Sequence, residues 1–127
     1  MATASQSPNS GLRRSRSRKP SLIVRCERSP RGTIVKLTVS GHAGFADHGS
    51  DIVCAAASAL VLTAAHGVTT FCGARVRTHD EPSGDYVLEV PRGGGARAQA
   101  VLETAVSGLR AIARRHPGHL SVRSAGK

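Results

Sequence analysis

Aromatic residues, acids and cysteines are all scarce in this chain of 127 residues. One tyrosine, two phenylalanines and no tryptophan leave few side chains that could stack on nucleic-acid bases. The odd set of three widely separated cysteines argues against a disulfide framework and favours a reducing compartment, so we expect a cytoplasmic protein. The longest apolar run, Ile52 to Ala65, is shorter than the roughly 20 residues that cross a membrane, so it predicts a buried helix and no membrane partner.

The formal net charge is +10, and the basic excess lies at the N-terminus. Residues 1–31 hold eight bases and one acid, whereas residues 32–127 hold ten bases and seven acids. Residues 1–20 contain almost no apolar side chains, so burial cannot offset the entropy of ordering, and we expect a disordered basic tail. The composition leaves three interpretations of this tail open: a merely solvated segment, a tether to RNA phosphates and an organelle transit peptide.

Residues 21–127 are long enough for one domain with one core, since domains commonly run to roughly 100–150 residues. Turn residues 29–32 and 81–84 each separate two alternating segments, which predicts two hairpins. The predicted elements are strands 22–26 and 33–40, a helix from Asp51 to Phe71 or Cys72, strands 74–79 and 85–90, a helix over 97–116 and an edge strand at 120–123. This β-β-α-β-β-α(-β) order predicts a single-domain α+β sandwich with its helices packed on one face of a mixed sheet.

The stretch from Gly41 to Leu60 combines a histidine, a glycine-rich connection, a helix start and a cysteine. Cysteine is a nucleophile only as the thiolate, which the start of a helix and a nearby imidazolium both favour. If Ser50 or Asp51 caps the helix, Cys54 lies in its first turn, and His42 at a strand exit is the strongest partner for it. Ser58, one helical turn beyond Cys54, could orient a substrate or a water molecule.

Three glycines, Gly41, Gly44 and Gly49, make the connection pliable enough to close on an extended peptide, so we predict a substrate loop there. Each residue also has a plainer interpretation. A cysteine in an alanine-rich helix is commonly an inert core residue, and Asp51 is more typical of a cap than of a catalytic acid. A metal site built from His42, His48 and Cys54 is a further alternative, although no close cysteine pair completes it.

Two segments of this stretch resemble the motif of the ribosomal-processing cysteine protease family, Prp, in both content and spacing. They are Gly41-His42-Ala43 and the run Gly49 to Leu60, which reads Gly-Ser-Asp-Ile-Val-Cys-Ala-Ala-Ala-Ser-Ala-Leu. The flanking order of strands and helices is also similar, so the resemblance covers about residues 21–124. Only the basic tail lies outside it.

The resemblance implies a cysteine endopeptidase that removes the N-terminal extension of large-subunit ribosomal protein bL27 during ribosome assembly, without a cofactor. It implies Cys54 as nucleophile, His42 as general base and acid, and Asp51 and Ser58 as supporting residues. Backbone amides at the helix start, including that of Cys54, would bind the oxyanion. The implied partners are the bL27 precursor and a second copy of the chain in a homodimer. Separately from the resemblance, the charge of the basic tail favours a contact with ribosomal RNA. The chief alternative is a non-enzymatic ribosome-assembly or RNA-binding module.

Overall fold

A computed structural model describes residues 22–41, 48–80 and 85–126, with the side chains of 48–51, 125 and 126 outside that description. The elements in chain order are β1 (Leu22–Arg28), β2 (Ile34–Gly41), α1 (His48–Thr70), β3 (Arg77–Asp80), β4 (Tyr86–Glu89), a 3-10 turn (Pro91–Gly94), α2 (Ala96–Arg115) and β5 (Leu120–Gly126). The predicted order and the final strand are therefore confirmed. The predicted disorder of residues 1–20 and the turn at 81–84 lie outside the described residues.

The sheet is mixed, with the strand order β3-β4-β2-β1-β5. Both predicted hairpins form antiparallel pairs, while β5 runs parallel to β1 and forms an edge of the sheet. The first turn closes with two backbone bonds of 2.8 Å between Ser29 and residues 32 and 33, where Gly32 takes a φ of 89°. A parallel neighbour for β1 requires a long crossover, and the chain between β1 and β5 provides it with both helices.

Alternation along the strands explains why the helices cover one face only. Leu22, Val24 and Cys26 of β1 are buried, whereas Arg25 between them is exposed. One core cluster joins the middle of the sheet to the C-terminal half of α1 and the N-terminal half of α2. A second cluster joins the start of β1 and the end of β2 to the N-terminal half of α1. Both clusters use the same face, which confirms the α+β sandwich.

Helix α1 contributes one buried stripe to this core. The stripe contains Val53, Ala57, Val61, Ala64, Ala65 and Val68. The prediction of a buried helix is thus correct for that stripe alone, because Ile52, Leu62 and Phe71 are 55%, 52% and 66% exposed. By length and composition Ile52–Thr70 would suffice to cross a membrane, a test that core helices of soluble proteins also pass.

A glycine follows the end of α1. Gly73 adopts a left-handed φ of 64°, and the Ala74 amide donates back to the Val68 carbonyl at 2.9 Å. This bond satisfies a carbonyl near the end of the helix, as the left-handed conformation of a glycine after the helix allows. The chain then turns towards the exposed edge strand β3.

Helix α2 is fixed to the sheet by Gln99. Its Oε1 accepts from the Ile34 amide, and its Nε2 donates to the carbonyls of Ile34 and Gly93, all at 2.8 Å. Gly93 has a φ of 81°, and a Cβ there would lie 2.1 Å from the Thr33 methyl group. The buried stripe of α2 includes Leu102, Ala105 and Leu109, at the three- and four-residue spacing of an amphipathic helix.

Candidate active site

Cys54 lies on α1 at the end of the sheet where β2 finishes. Its side chain is partly buried and packs against the cluster that contains Leu22, Val39 and Leu120. Val39 precedes the last residue of β2, Gly41, by two positions, and Gly41 pairs with Leu22. The structure therefore brings Cys54 to the same end of the sheet as the exit of β2, which is the position that the sequence predicted for its partner.

The start of α1 differs from the prediction. The helix begins at His48, so Ser50 and Asp51 lie inside it and cannot be its N-cap. Cys54 is the seventh residue of α1, beyond the first turn, and in a regular α-helix its amide donates to the carbonyl four residues earlier. The predicted first-turn position of Cys54 is therefore wrong, and the part of its amide in an oxyanion hole stays a prediction. A carboxylate at position 51 still lies in the first turn, where the helix dipole favours it.

The connection between β2 and α1 is shorter than the sequence indicated. It spans residues 42–47, so His42 and Gly44 lie outside the described residues. Gly49 belongs to α1 and not to a substrate loop, which corrects that prediction. Gly41 is exposed and ends β2 with a φ of 98°, a conformation that favours glycine.

Ser58 lines a cavity of about 360 Å³ that opens beside α1, one helical turn from Cys54. The other lining residues are Val39, Val61, Leu62, Asp80 and Tyr86. Burial raises the pKa of the Tyr86 phenol and the nearby carboxylate of Asp80 adds to this, whereas a hydrogen bond with Thr78 lowers it. The cavity is apolar along one side and carries a phenol and a carboxylate on the other, so it can hold an apolar side chain of a bound peptide.

Asp80 and Tyr86 were not identified as site residues from the sequence. They face one another across the β3–β4 pair, and Tyr86 also pairs with Val39 of β2. Only the strand register places them beside Ser58. Alternation along β4 could have indicated that Tyr86 shares a face with Leu88, but not that this face borders α1.

The remaining cysteines occupy structural positions. Cys26 is fully buried in β1, and burial raises the pKa of its thiol, which disfavours the reactive thiolate. Cys72 packs against the main core cluster just after α1. All three thiols are free.

The alternative of a metal site required His42, His48 and Cys54 as ligands. Of these, residue 42 and the side chain of His48 lie outside the described part of the chain. Within that part, no group of three His, Cys, Asp or Glu side chains is placed to hold a metal ion.

Comparison with known proteins identifies the family. The family model for the cysteine protease Prp matches residues 22–121. The ribosomal processing cysteine protease Prp of Bacillus subtilis (strain 168) is 31% identical over 94 residues, which are 70% of this chain and 84% of the relative.

Solved structures show the same fold. Two crystal structures of the essential ribosomal processing protease Prp from S. aureus, one with a substrate peptide and one with a covalently linked product peptide, give TM-scores of 0.76 and 0.72. Each is 21% identical and covers 82% of this chain and 99% of the solved one. SMU.848 from Streptococcus mutans gives a TM-score of 0.75 at 19% identity, over 84% of this chain and 98% of the solved one. With the family model matching from β1 to the start of β5, this chain belongs to the ribosomal-processing cysteine protease family, Prp.

Proposed function

We propose that the protein is a cysteine endopeptidase that removes the N-terminal extension of the ribosomal protein bL27 precursor, with Cys54 and His42 as its catalytic dyad. The observation that carries this proposal is the position of Cys54, partly buried on α1 beside the end of β2, in a member of a cysteine protease family. His42 directly follows Gly41, the last residue of that strand. Gly41 lies at the end of the sheet where Cys54 packs, and His42 is the next residue in the chain.

The chemistry requires one proton to move twice. His42 takes the thiol proton of Cys54, and the thiolate sulfur attacks the scissile carbonyl carbon to form a tetrahedral oxyanion. Collapse of this intermediate expels the amine, which receives the proton from His42, and leaves a thioester on Cys54. Water, deprotonated by His42, then hydrolyses the thioester and restores the thiol. Unpaired amides of the first turn of α1, before Cys54, are the nearest backbone donors for the oxyanion.

The cavity beside Ser58 supports a peptide substrate. Ser58 in its wall lies about 6 Å along α1 from Cys54, given the rise of an α-helix, which suits a substrate residue close to the scissile bond. Ser58 supports the bound peptide from the cavity wall, and Asp51 supports the site through the charge of its carboxylate in the first turn of α1. The solved S. aureus relatives with a substrate peptide and with a covalently linked product peptide are consistent with a covalent peptide intermediate.

Cleavage of the natural precursor tests this proposal. The organism's own bL27 precursor, and a version that begins at the mature N-terminus, are incubated with wild type, His42→Ala and the matched control His66→Ala. His66 is an exposed histidine near the other end of α1. We expect wild type and His66→Ala to shorten only the precursor, and His42→Ala to lose at least about 10²-fold in rate, the lower range for general acid–base catalysis. Unchanged cleavage by His42→Ala would exclude the dyad, and an uncleaved precursor would exclude bL27 as substrate.

A homodimer is the proposed assembly, and the exposed apolar side of α1 supports it. Between α1 and α2 lies a groove of about 470 Å³, whose lining includes Leu60, Phe71 and Val101. Apolar surface of this kind is more typical of an interface than of free surface in a soluble protein. Light scattering after size exclusion should give twice the chain mass for wild type and a monomer for Phe71→Glu. A monomeric wild type would contradict the assembly.

The cytoplasm is the proposed location, supported by three free thiols and by a substrate that is assembled into ribosomes. The five bases of residues 1–20 form the proposed contact to ribosomal RNA. If deleting residues 1–20 leaves salt-dependent RNA binding unchanged, this contact is wrong. A non-enzymatic assembly module remains the second function, and it would bind the precursor without shortening it.

A further inference from the structure

Arginines gather on both sides of the edge strand β5. Arg25 and Arg123 lie on the face of the sheet that the helices leave open, and Arg110 and Arg114 lie on α2. We refer to these four residues as the β5 arginine cluster. No step of the proposed peptidase reaction uses it, and it is separate from the basic tail.

On the sheet side, two arginines are direct neighbours. Arg25 of β1 pairs in register with Arg123 of β5, both side chains are exposed, and like charges placed directly opposite each other destabilise a sheet. In the adjacent row of the same face, side chains of opposite charge are neighbours. There the charges alternate across four strands from Arg77 to Glu27, with nitrogen–oxygen distances of 3.4 to 4.0 Å. The arginine pair thus stands out from a face that otherwise neutralises its charges.

On the helix side, Arg110 and Arg114 are one turn apart and line a cavity of about 370 Å³ between α2 and β5. Ser121 and Val122 of β5 form part of the opposite wall. The guanidinium of Arg110 donates to the Ser124 hydroxyl at 2.9 Å, so α2 and β5 are joined at this point. The positive charges of both sides therefore border the same segment of β5.

Acids in the described part of the chain do not neutralise this cluster. The ion pairs found there join Arg28 to Glu103, Lys36 to Glu27 and Glu89, and Arg77 to Glu89. Glu103 is near enough to Arg110 for its pKa to be lowered by that charge, but its hydrogen bonds of 2.6 and 3.1 Å go to Arg28, which lowers the same pKa more strongly. The cluster keeps its positive charge.

We propose that the β5 arginine cluster binds the phosphate backbone of duplex RNA. Guanidinium groups match phosphate geometry with paired hydrogen bonds, and arginines on both sides of the edge strand β5 can meet phosphates that pass along this edge. The described tyrosine and phenylalanine lie elsewhere, since Tyr86 lines the cavity beside Ser58 and Phe71 follows α1. Without aromatic stacking at β5, contact is to the backbone and independent of sequence.

Salt dependence of binding tests this proposal. Binding of a fluorescein-labelled RNA duplex to the full chain is measured by anisotropy at salt concentrations between about 50 and 200 mM. The test variant is Arg114→Gln/Arg123→Gln, which removes one exposed arginine from each side. The matched control Arg75→Gln/Arg97→Gln removes two exposed arginines that lie at the other edge of the sheet and at the other end of α2.

Two lost phosphate contacts should reduce the slope of log affinity against log salt by about 1.8, so the change in affinity over this salt range shrinks about tenfold. The control should keep the wild-type slope, and thermal melts and peptide cleavage should be unchanged in both variants. An equal loss of slope in the control would mean diffuse attraction by net charge and would overturn the proposal. The proposal would also be overturned if the test variant kept the wild-type slope. It would equally be overturned if the test variant lost binding to a polyglutamate peptide but not to RNA.

Discussion

Replacing Gln99 should destabilise the domain more than any other single polar substitution in its vicinity. Its amide satisfies both backbone groups of Ile34, which is fully buried as the first residue of β2, and also holds the Gly93 carbonyl. Each of the three bonds contributes about 1 kcal/mol net, and a buried group left without a partner costs about 1–3 kcal/mol. We therefore expect Gln99→Leu to lower the free energy of unfolding by about 3 kcal/mol, or the Tm by about 12 °C or more.

Gln99→Glu separates hydrogen bonding from loss of volume. This variant keeps an oxygen that can accept from the Ile34 amide, but at neutral pH it sets a second oxygen against two carbonyl oxygens. We expect it to be at least as destabilised as Gln99→Leu at neutral pH, and less so in acid, where a protonated carboxyl can donate to one of them.

Urea and thermal unfolding of wild type and both variants measure these effects. Thr104→Ala is the matched control, because its exposed hydroxyl donates one bond of 2.7 Å to the Ala100 carbonyl within α2. That change should stay within about 0.5 kcal/mol, as is usual for surface substitutions. If Gln99→Leu also stays within about 0.5 kcal/mol of wild type, the anchoring of β2 by Gln99 is refuted.

Three further predictions concern charge, space and substrate. Because the hydrogen bond from Arg28 lowers the pKa of Glu103, Glu103→Gln should lower the free energy of unfolding by less than about 1 kcal/mol at neutral pH. This loss of stability should vanish as the pH falls through that lowered pKa, and an unchanged loss in acid would contradict the prediction. Gly93→Ala should cost more than about 2 kcal/mol in urea unfolding, since its Cβ would meet a threonine methyl at 2.1 Å, whereas Gly118→Ala, with open space around it, should be near neutral. Ser58→Leu should raise KM for the extension peptide by filling the cavity, while Ser58→Ala should change kcat/KM by less than about tenfold; equal kinetics for both would show that the peptide avoids this cavity.

The strands and helices follow from local patterns in the sequence. Alternation in β2 distinguishes buried Leu37 and Val39 from their polar neighbours, and glycine at position 73 ends α1 because it can adopt a positive φ. These signals act over a few residues, so one sequence contains them.

The site required information that local patterns do not carry. Ser50 and Asp51 are good capping residues, yet α1 starts before them, so a capping preference alone does not fix where a helix begins. The apolar residues of α1 surround the whole helix, so composition alone did not separate the buried Val61 from the exposed Leu62. Asp80 and Tyr86 reach the cavity through the pairing of three strands, which depends on residues far apart in the chain.

The cleavage rate of paired cysteine variants tests the central claim most directly. Cys54→Ala and Cys72→Ala each remove one partly buried thiol, but only Cys54 lies at the end of the sheet where β2 exits. Product is quantified by mass spectrometry of the bL27 precursor under identical conditions, with circular dichroism to confirm that both variants fold. The account predicts no cleavage above the uncatalysed rate for Cys54→Ala and a near wild-type rate for Cys72→Ala. Cleavage by Cys54→Ala at the wild-type rate would contradict it.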